Sequence, residues 1–331
     1  MLQIAQTSGQ LEEVFDSQGE LNFVGEHPWL TLSKVCSRPR PPGQVIVFAN
    51  EKGGVGKSTL AFHCAIALCD SGAKVAVVDL DLRQKSLSAC IDNRNRTARC
   101  LAIDLPAPNQ VVLQQQNGAQ LSQEIARIGR NCDFILIDLP GHDSAVARYA
   151  IALADKIVTP INSSCIDLDL LGKFDPVTGR LDKAGHFAEL VQSLGAARSE
   201  RGMEQSDWIV VKNRVRTAEK NQQIRLKNAL SQLAAEFGLR VSDGLSERVV
   251  FRELLPFGLT NFDLKRIPGI SRMQSKAQDE ILVLIADLNL RPANGPTKTA
   301  KPGVRAKVSK RVQESFATSI QAHAHPKSQA C

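Results

Sequence analysis

The residues with the clearest chemical potential stand together at positions 52–59, which read KGGVGKST. The glycines let the backbone come close to phosphate oxygens and point N–H groups at them. Lys57 can reach the β- and γ-phosphates of a nucleotide, and the Ser58 hydroxyl can bind Mg²⁺. The run therefore predicts a nucleoside triphosphate site, formed by Gly53, Gly54, Val55, Gly56, Lys57, Ser58 and Thr59.

This loop departs from the usual GxxxxGK[ST] pattern at one position. Glu51 stands where the pattern has its first glycine, and Lys52 follows it. In a bare KGG turn, a lysine is expected to be a solvated turn residue. The family resemblance described below gives Lys52 the alternative role, at the nucleotide of a partner.

Three aspartates follow apolar runs that are typical of buried strands. Asp79 and Asp81 end the run KVAVVDLDL and face the same side, because alternate residues of a strand share a face. Asp138 ends a third such run. In a phosphate-loop protein, an aspartate in this place holds Mg²⁺, usually through its water shell. We therefore expect Asp138 and Ser58 on the metal side of the site, with Asp79 supporting the metal shell or the loop. Asp81 is the candidate to orient the attacking water.

The elements that must position these groups alternate between strands and helices. Apolar runs predict strands at 45–49, 74–82, 134–139, 156–161 and 208–212, and helices at 57–72, 120–128, 145–154, 218–237 and 271–288. A further element is expected at 248–255, whereas the rest of 83–131 is less regular and 162–207 is rich in loops. Such alternation predicts ligand binding at the carboxyl ends of parallel strands. The predicted fold class is α/β, a single P-loop NTPase domain with a mostly parallel central sheet flanked by helices, plus flexible N- and C-terminal extensions.

Three parts are predicted along the chain. Residues 1–43 are polar and mildly acidic and end in SRPRPPG, which indicates a flexible extension with a short docking piece at 23–32. A start further downstream is the alternative for this part. Residues 44–290 form the P-loop domain, and residues 291–331 form a basic, disordered tail.

The composition favours a cytoplasmic protein. The chain has 331 residues, 43% of them hydrophobic, and no apolar run approaches the ~18 residues of a membrane span. A signal peptide is not expected, because no basic segment is followed by an apolar one near the start. The eight cysteines form no CxxC pair, which is the usage of a reducing compartment. We therefore expect a cytoplasmic location without a membrane partner.

The net charge of +7 comes entirely from the tail. Residues 291–331 hold eight basic residues and one acidic residue, so the rest of the chain balances at 33 of each sign. Three interpretations of the tail stay open: disorder, an auxiliary DNA contact, or a basic amphipathic helix on a membrane surface. The helix interpretation depends on apolar residues that recur every four positions, at Val304, Val308, Val312, Phe316 and Ile320.

A second group of basic residues suggests contact with nucleic acid. Non-specific DNA binding needs several side chains that face phosphates, and its salt sensitivity rises with their number. From the residues alone, a DNA contact and a solvated helix face are about equally supported. The predicted DNA-binding residues are Arg198, Arg201, Arg214, Arg216, Lys220 and Arg225, with Lys227 nearby.

Taken together, these motifs resemble the MipZ family, ParA/MinD-type ATPases that position the division plane in alphaproteobacteria. The resemblance is carried by KGGVGKST, KVAVVDLDLRQKS, CDFILIDLPGHDSA, VTPIN, DPVTG, DWIVVKNR and RELLPFGLTNFDL, which are spread over residues 45–290. The lysine of KGG marks the whole superfamily. LDLRQ, in place of the LDPQ of chromosome-partitioning ParA proteins, and RELLPFGLT point to the MipZ branch.

The resemblance implies a switch driven by ATP and Mg²⁺. The ATP-bound form would be a homodimer in which Lys52 reaches the nucleotide of the partner, and slow, dimer-dependent hydrolysis would return it to the monomer. By position, Asp81 would orient the water and Asp138 would be the carboxylate on the Mg²⁺ side. Asn213 would contact the adenine.

The resemblance also implies partners. MipZ-like proteins bind DNA without sequence preference, meet a ParB-type centromere-binding protein near the cell pole and inhibit assembly of the tubulin-like FtsZ. A nucleoid-associated location, enriched near the poles, would follow. Two other functions stay open: a ParA-type ATPase for chromosome or plasmid partitioning, and a MinD-like membrane-cycling ATPase.

Overall fold

A parallel β-sheet forms the centre of the protein in the computed structural model, which describes residues 26–113, 115–162, 165–215, 220–267 and 276–290. Its strand order is β3–β2–β4–β1–β5–β8–β9, and every neighbouring pair is parallel. The strands of this sheet are β1 (Gln44–Phe48), β2 (Val75–Asp79), β3 (Asn109–Val111), β4 (Phe134–Asp138), β5 (Lys156–Ile161), β8 (Asp207–Val215) and β9 (Arg240–Ser246). A separate antiparallel hairpin consists of β6 (Gly172–Phe174) and β7 (Leu181–Ala184).

Helices cover both faces of this sheet. They are α1 (Pro28–Cys36), α2 (Lys57–Asp70), α3 (Ser86–Leu101), α4 (Gly118–Gly129), α5 (Ala145–Leu153), α6 (His186–Glu200), α7 (Lys220–Phe237), α8 (Val249–Glu253) and α9 (Lys276–Asp287). Alternate residues of β1 pack into opposite layers, Val45 and Val47 with α5, and Ile46 and Phe48 with α2. Burial on both faces is why the strand appears as a continuous apolar run. The predicted α/β fold class is confirmed.

The functional groups meet where the strand order reverses. β1 lies between β4 and β5, and this arrangement leaves a crevice at the carboxyl ends of the strands. The register places Phe48 beside Asp138 and Asp138 beside Asp79, so three strands end at one level. The segment 49–56 therefore leaves β1 directly into this crevice.

The amino-terminal part differs from the prediction of a flexible extension over 1–43. Residues 28–36 form α1, which packs on α5 and α6. Leu32 is fully buried in the core, and the Arg148 guanidinium donates a hydrogen bond to the Glu26 carbonyl. Part of the predicted docking piece, residues 26–32, thus belongs to the packed body. Residues 1–25 lie outside the described residues, as does the tail from 291 onward.

Two helices occur where the sequence indicated irregular structure, α3 and α6. In α3 the apolar periodicity is broken by Arg94, which is fully buried with its positive charge paired. In α6 the periodicity is broken by Arg198, which is also buried and whose guanidinium donates to backbone carbonyl groups. The apolar periodicity of a helix assigns arginine to the solvent face, so it does not predict α3 or α6.

A buried ion pair ties α3 to residues 258–263. Arg94 and Asp263 are joined by two hydrogen bonds of 2.8 and 2.7 Å, and Arg94 also donates to the Gly258 carbonyl. Thr260 donates both its backbone N–H and its hydroxyl to Asp263. Gly258 has a φ of +63°, and a Cβ there would lie 2.2 Å from the backbone nitrogen of Arg94, so this close approach of residue 258 to α3 requires glycine.

Candidate nucleotide site

The glycine loop connects β1 to α2 in the conformation that glycine favours. Gly54 and Gly56 have φ angles of +77° and +95°, which side chains other than glycine rarely adopt. A Cβ at Gly56 would lie 2.2 Å from the side-chain nitrogen of Asn213. The loop therefore requires glycine both for its backbone angles and for this close approach.

Lys57 is the cation at the base of the loop. Its ammonium donates a hydrogen bond of 2.9 Å to the Lys52 carbonyl. Burial lowers the pKa of Lys57, while the carboxylates of Asp138 and Asp81 act in the opposite direction. Lys57 is also the first residue of α2, so the free N–H groups of the helix start lie at the same place. This combination suits a polyphosphate.

Asp138 is a buried carboxylate without a partner. It is 0% exposed, and neither of its oxygens has a hydrogen-bond partner among the described residues. Burial raises its pKa to about 7, and the nearby Ser58 hydroxyl and Lys57 ammonium oppose the rise. A buried carboxylate in this state is costly unless a cation or a donor binds it. The donor set therefore fits Mg²⁺.

Few protein groups are available to such an ion. The described ranges contain no group of three or more His, Cys, Asp or Glu side chains that could hold a metal. Mg²⁺ commonly keeps several waters and binds through one or two protein groups together with substrate phosphates. Ser58 and Asp138 are the groups that would hold it here.

The two aspartates after β2 have different contacts. Asp79 accepts backbone hydrogen bonds on both oxygens, from Asp81 at 3.0 Å and from Ser88 at 2.9 Å. Burial raises the pKa of Asp79, and these hydrogen bonds oppose the rise. Of the two roles considered for Asp79, support of the loop is the one that its contacts favour, while Asp81 lines the cleft itself.

Lys57, Ser58 and Asp81 line one open cleft of about 330 Å³ at the carboxyl ends of the strands. The glycine loop lies on one side, and Asp81 and Arg83 enter from the loop after β2. Gly141, which follows β4, approaches so closely that a Cβ there would lie 3.1 Å from the Gly53 nitrogen. The loop after β4 therefore lies directly against the phosphate loop.

Lys52 is held within its own chain. Its ammonium forms an ion pair with Asp167, a carboxylate that is only 2% exposed. The other oxygen of Asp167 accepts the Asn162 N–H at 3.0 Å, and the Lys52 N–H donates to the Asn50 side chain at 2.8 Å. A role across a dimer therefore requires Lys52 to leave Asp167.

Asn213 holds the loop from the side of β8. Its side-chain nitrogen donates to the Val55 carbonyl at 2.8 Å, and its oxygen accepts the Arg214 N–H at 3.0 Å. Asn213 also lines a second pocket, which shares Thr59, Arg214 and Leu255 with the cleft. The second pocket therefore adjoins the cleft.

The family model described as ATPase MipZ matches residues 44–292, about three quarters of the chain. This chain belongs to the MipZ ATPase family. The match begins at β1 and leaves α1 outside it. The predicted family is therefore confirmed.

More distant relatives belong to the same superfamily. The septum site-determining protein MinD of Helicobacter pylori is 32% identical over 165 residues, 42% of this chain and 62% of that protein. The chromosome-partitioning ATPase Soj of Treponema pallidum is 28% identical over 152 residues, 38% of this chain and 60% of Soj. The match thus spans about three fifths of the length of these relatives.

A solved structure supports the fold. An ATP complex of a McdA variant from Cyanothece has a TM-score of 0.51 and 16% sequence identity, and the match covers 75% of this chain and 97% of that one. No helix in the described parts of this MipZ-family chain is long and apolar enough to cross a membrane.

The residues predicted to bind DNA that lie within the described part of the chain do not form one surface. Arg198 is only 3% exposed and donates hydrogen bonds to the carbonyls of Ala152, Ala154 and Glu204. These contacts lie near the amino end of β8, whereas Arg214 lies near its carboxyl end, roughly 25 Å away along an extended strand. The prediction for Arg198 is therefore wrong, because its charge satisfies buried carbonyls at the end of α5.

The other predicted DNA contacts have separate surroundings. The guanidinium of Arg201 lies 4.3 Å from the centre of the Trp29 ring, and Arg214 donates a hydrogen bond to the Gly54 carbonyl in the cleft. Arg225 is exposed on α7, where Lys227 is exposed as well. Arg216 and the side chain of Lys220 lie outside the described residues.

Replacing Arg198 with alanine is expected to lower the free energy of unfolding by about 1–3 kcal/mol, because buried carbonyls lose their donor. Arg225→Ala should change it by less than about 0.5 kcal/mol, as is usual for an exposed side chain. Urea denaturation followed by circular dichroism measures both. Equal stability of the two variants would contradict the structural role of Arg198.

Replacing Asp138 with asparagine is expected to stabilise the nucleotide-free protein above pH 7. Folding raises the pKa of this carboxyl from 3.8 to about 7, so stability falls as the pH rises between these values. Asparagine does not ionise, so the variant does not lose stability in this way as the pH rises. At pH 8 the Tm should exceed that of the wild type by at least about 3 °C, since 1 kcal/mol shifts Tm by about 2–4 °C in a domain of this size. At pH 5 the difference should be smaller, and an equal difference at both pH values would rule out the raised pKa.

Three residues near the cleft were missed as site residues in the sequence. Arg83 stands in LDLRQ and Leu255 in RELLPFGLT, and these motifs served only as marks of the family. Asp167, the partner of Lys52, carries no local signal, because it lies 115 positions away along the chain, in the short 3₁₀ helix Cys165–Leu168. The family-specific motifs were thus the usable signal for Arg83 and Leu255.

Proposed function

We propose that this chain is an ATP-hydrolysing dimerisation switch that positions the division plane. In this proposal it binds DNA without sequence preference and inhibits FtsZ assembly away from midcell. The observation that carries the enzymatic part is the convergence of Lys57, Ser58 and Asp81 on one cleft, with the buried Asp138 carboxylate close to Lys57 and Ser58. Membership of the MipZ family supports the division role.

Each group of residues at the cleft has a separate role in phosphoryl transfer. The glycine loop and the start of α2 donate N–H groups to the phosphates, and Lys57 adds a positive charge at the β- and γ-phosphates. Ser58 and Asp138 would hold Mg²⁺, which neutralises charge that develops on the phosphate oxygens. Asp81 positions the attacking water in line with the terminal phosphate.

The Asp81 carboxylate is presented by a fixed loop. One of its oxygens accepts the N–H groups of Arg83 and Gln84, at 3.1 and 3.0 Å. Its other oxygen stays available to a water in the cleft. Catalysis by this chain then rests mainly on positioning and on charge stabilisation.

Dimerisation depends on Lys52 in this proposal. In the single chain its ammonium is paired with Asp167. The additional charge of a triphosphate in a facing copy would compete for Lys52, and the exchange would link ATP to assembly. Hydrolysis and phosphate release would then return Lys52 to Asp167 and the protein to its monomer.

The cellular role follows from the family. A ParB-type centromere-binding protein would concentrate the protein near the pole, and the DNA-bound dimer would spread over the nucleoid. Exposed cations such as Arg225 and Lys227 on α7 would contact DNA phosphates. The cytoplasmic, nucleoid-associated location with enrichment near the poles is part of this proposal.

FtsZ polymerisation tests the proposal. The Asp81→Ala protein with ATP, which should stay dimeric, is added to purified FtsZ and GTP, and light scattering follows assembly. The proposal expects reduced assembly with ATP and little effect with ADP. Normal FtsZ assembly beside a DNA-bound dimer would contradict the division role and favour the partitioning function.

A further inference from the structure

Arg83 is a cation in the nucleotide cleft to which no role has been given. It follows Asp81 by two positions on the loop between β2 and α3. Arg83 lines the cleft together with Lys57, Ser58 and the glycine loop. The residue is exposed, so its side chain can reach a ligand without the loss of an existing contact.

The backbone of Arg83 is fixed by its neighbour. The Arg83 N–H and the Gln84 N–H both donate to one oxygen of Asp81, and the Lys85 N–H donates to the Asp81 carbonyl at 2.8 Å. These bonds form a tight turn in which Asp81 and Arg83 keep a constant relative position. Whatever places Asp81 near the terminal phosphate therefore places Arg83 near it too.

The cations of the cleft differ in how their donors are used. Lys57 donates to the Lys52 carbonyl, and Arg214 donates to the Gly54 carbonyl at 3.1 Å. The Arg83 guanidinium has no hydrogen bond or ion pair within the described residues. It therefore keeps five N–H donors in a planar fork, the geometry that binds phosphate oxygens in pairs.

We propose that Arg83 binds the terminal phosphate of the nucleotide held in its own cleft. The inference rests on the proposed function as an ATPase. A guanidinium at this position adds favourable energy when a third phosphate is present and little when it is absent. Arg83 thereby sets the preference of the chain for a triphosphate over a diphosphate, and it stabilises charge on the phosphate that is transferred.

Nucleotide binding by the full chain tests this inference. Fluorescent methylanthraniloyl derivatives of ATPγS and ADP are titrated with the wild type, Arg83→Gln and Lys85→Gln, each with Mg²⁺ and at low protein concentration. Lys85 is the matched control, since it lies on the same loop, is exposed and carries the same charge. Arg83→Gln should weaken binding of ATPγS about tenfold or more and binding of ADP by less than about threefold. Lys85→Gln should leave both within about twofold of the wild type, since its charge is screened by solvent.

Three results would overturn the role of Arg83. The first is an equal loss of affinity for ATPγS and ADP in Arg83→Gln, which indicates a disturbed loop. The second is an equal loss of affinity in Lys85→Gln, which indicates a general charge effect. The third is no loss of affinity in Arg83→Gln. Arg83→Lys serves as a second variant, because it keeps the charge without the fork and should recover only part of the affinity. If the wild type itself binds neither nucleotide, the proposed ATPase function fails instead, so the two failures are distinguishable.

Discussion

Replacing Asp263 with alanine is expected to lower the free energy of unfolding by about 3–5 kcal/mol, because it leaves a buried arginine without its counter-charge. Arg94 is 0% exposed and Asp263 is 1% exposed, so water cannot replace the lost partner. The pair also fixes α3 to residues 258–263, and α3 follows the loop that carries Asp81. Chemical denaturation of the two proteins measures the difference.

A surface ion pair provides the control for this variant. Lys265 pairs with Asp70 at 2.8 Å, but its side chain is 44% exposed. Lys265→Ala should therefore cost at most about 1 kcal/mol. If Asp263→Ala is no less stable than Lys265→Ala, the ion pair does not have the importance that its burial indicates.

Replacing Asp81 with asparagine is expected to reduce the rate of ATP hydrolysis by about 10²-fold or more while ATP still binds. Asparagine keeps an oxygen that can accept the Arg83 and Gln84 N–H groups, so the loop should stay in place. The charge that is proposed to orient the water is lost. Single-turnover hydrolysis of radiolabelled ATP, together with equilibrium binding, separates the two effects.

Asp79→Ala serves as the contrast. Both Asp79 oxygens accept backbone N–H groups, so this variant should lose about 1–3 kcal/mol of stability as the Asp81 and Ser88 amides lose their acceptor. Asp81→Asn should unfold close to the wild type. Hydrolysis at the wild-type rate in Asp81→Asn would show that another group positions the water.

The phosphate loop and the strand ends could be predicted from the sequence because their signals are local. A buried parallel strand is a short apolar run, and a loop that bends sharply at phosphate must contain glycine. Asp138 follows from the same logic, since it ends such a run at the level of the loop. The family then follows from these stretches, because they are the ones that the chemistry constrains most.

The parts that could not be predicted depend on partners far away in the chain. Arg198 looked like a surface charge in a basic stretch, yet its donors satisfy carbonyls 44 and 46 positions earlier. Arg94 interrupts the apolar pattern of α3 although it is buried. Its burial could not be predicted, because its counter-charge is 169 positions away along the chain. A charged residue is assigned to solvent by any local pattern, so only the fold reveals a buried, paired one.

Lys52 shows the same limit within the site itself. The motif identifies it as the signature lysine, but the sequence gives no reason to expect its pairing with Asp167 in the single chain. In the proposed switch, this pair is the resting position of Lys52 and differs from a phosphate contact. We therefore expect ATP to assemble two copies of the chain through Lys52.

Sedimentation velocity of the full chain with Mg²⁺ and ATPγS tests this assembly. We expect a dimer for the wild type with ATPγS, a monomer with ADP, and a monomer for Lys52→Ala even when ATPγS is bound. Binding of fluorescent ATPγS to Lys52→Ala shows that the site itself is intact. A wild type that stays monomeric at saturating ATPγS, or a Lys52→Ala variant that dimerises as well as the wild type, would contradict it.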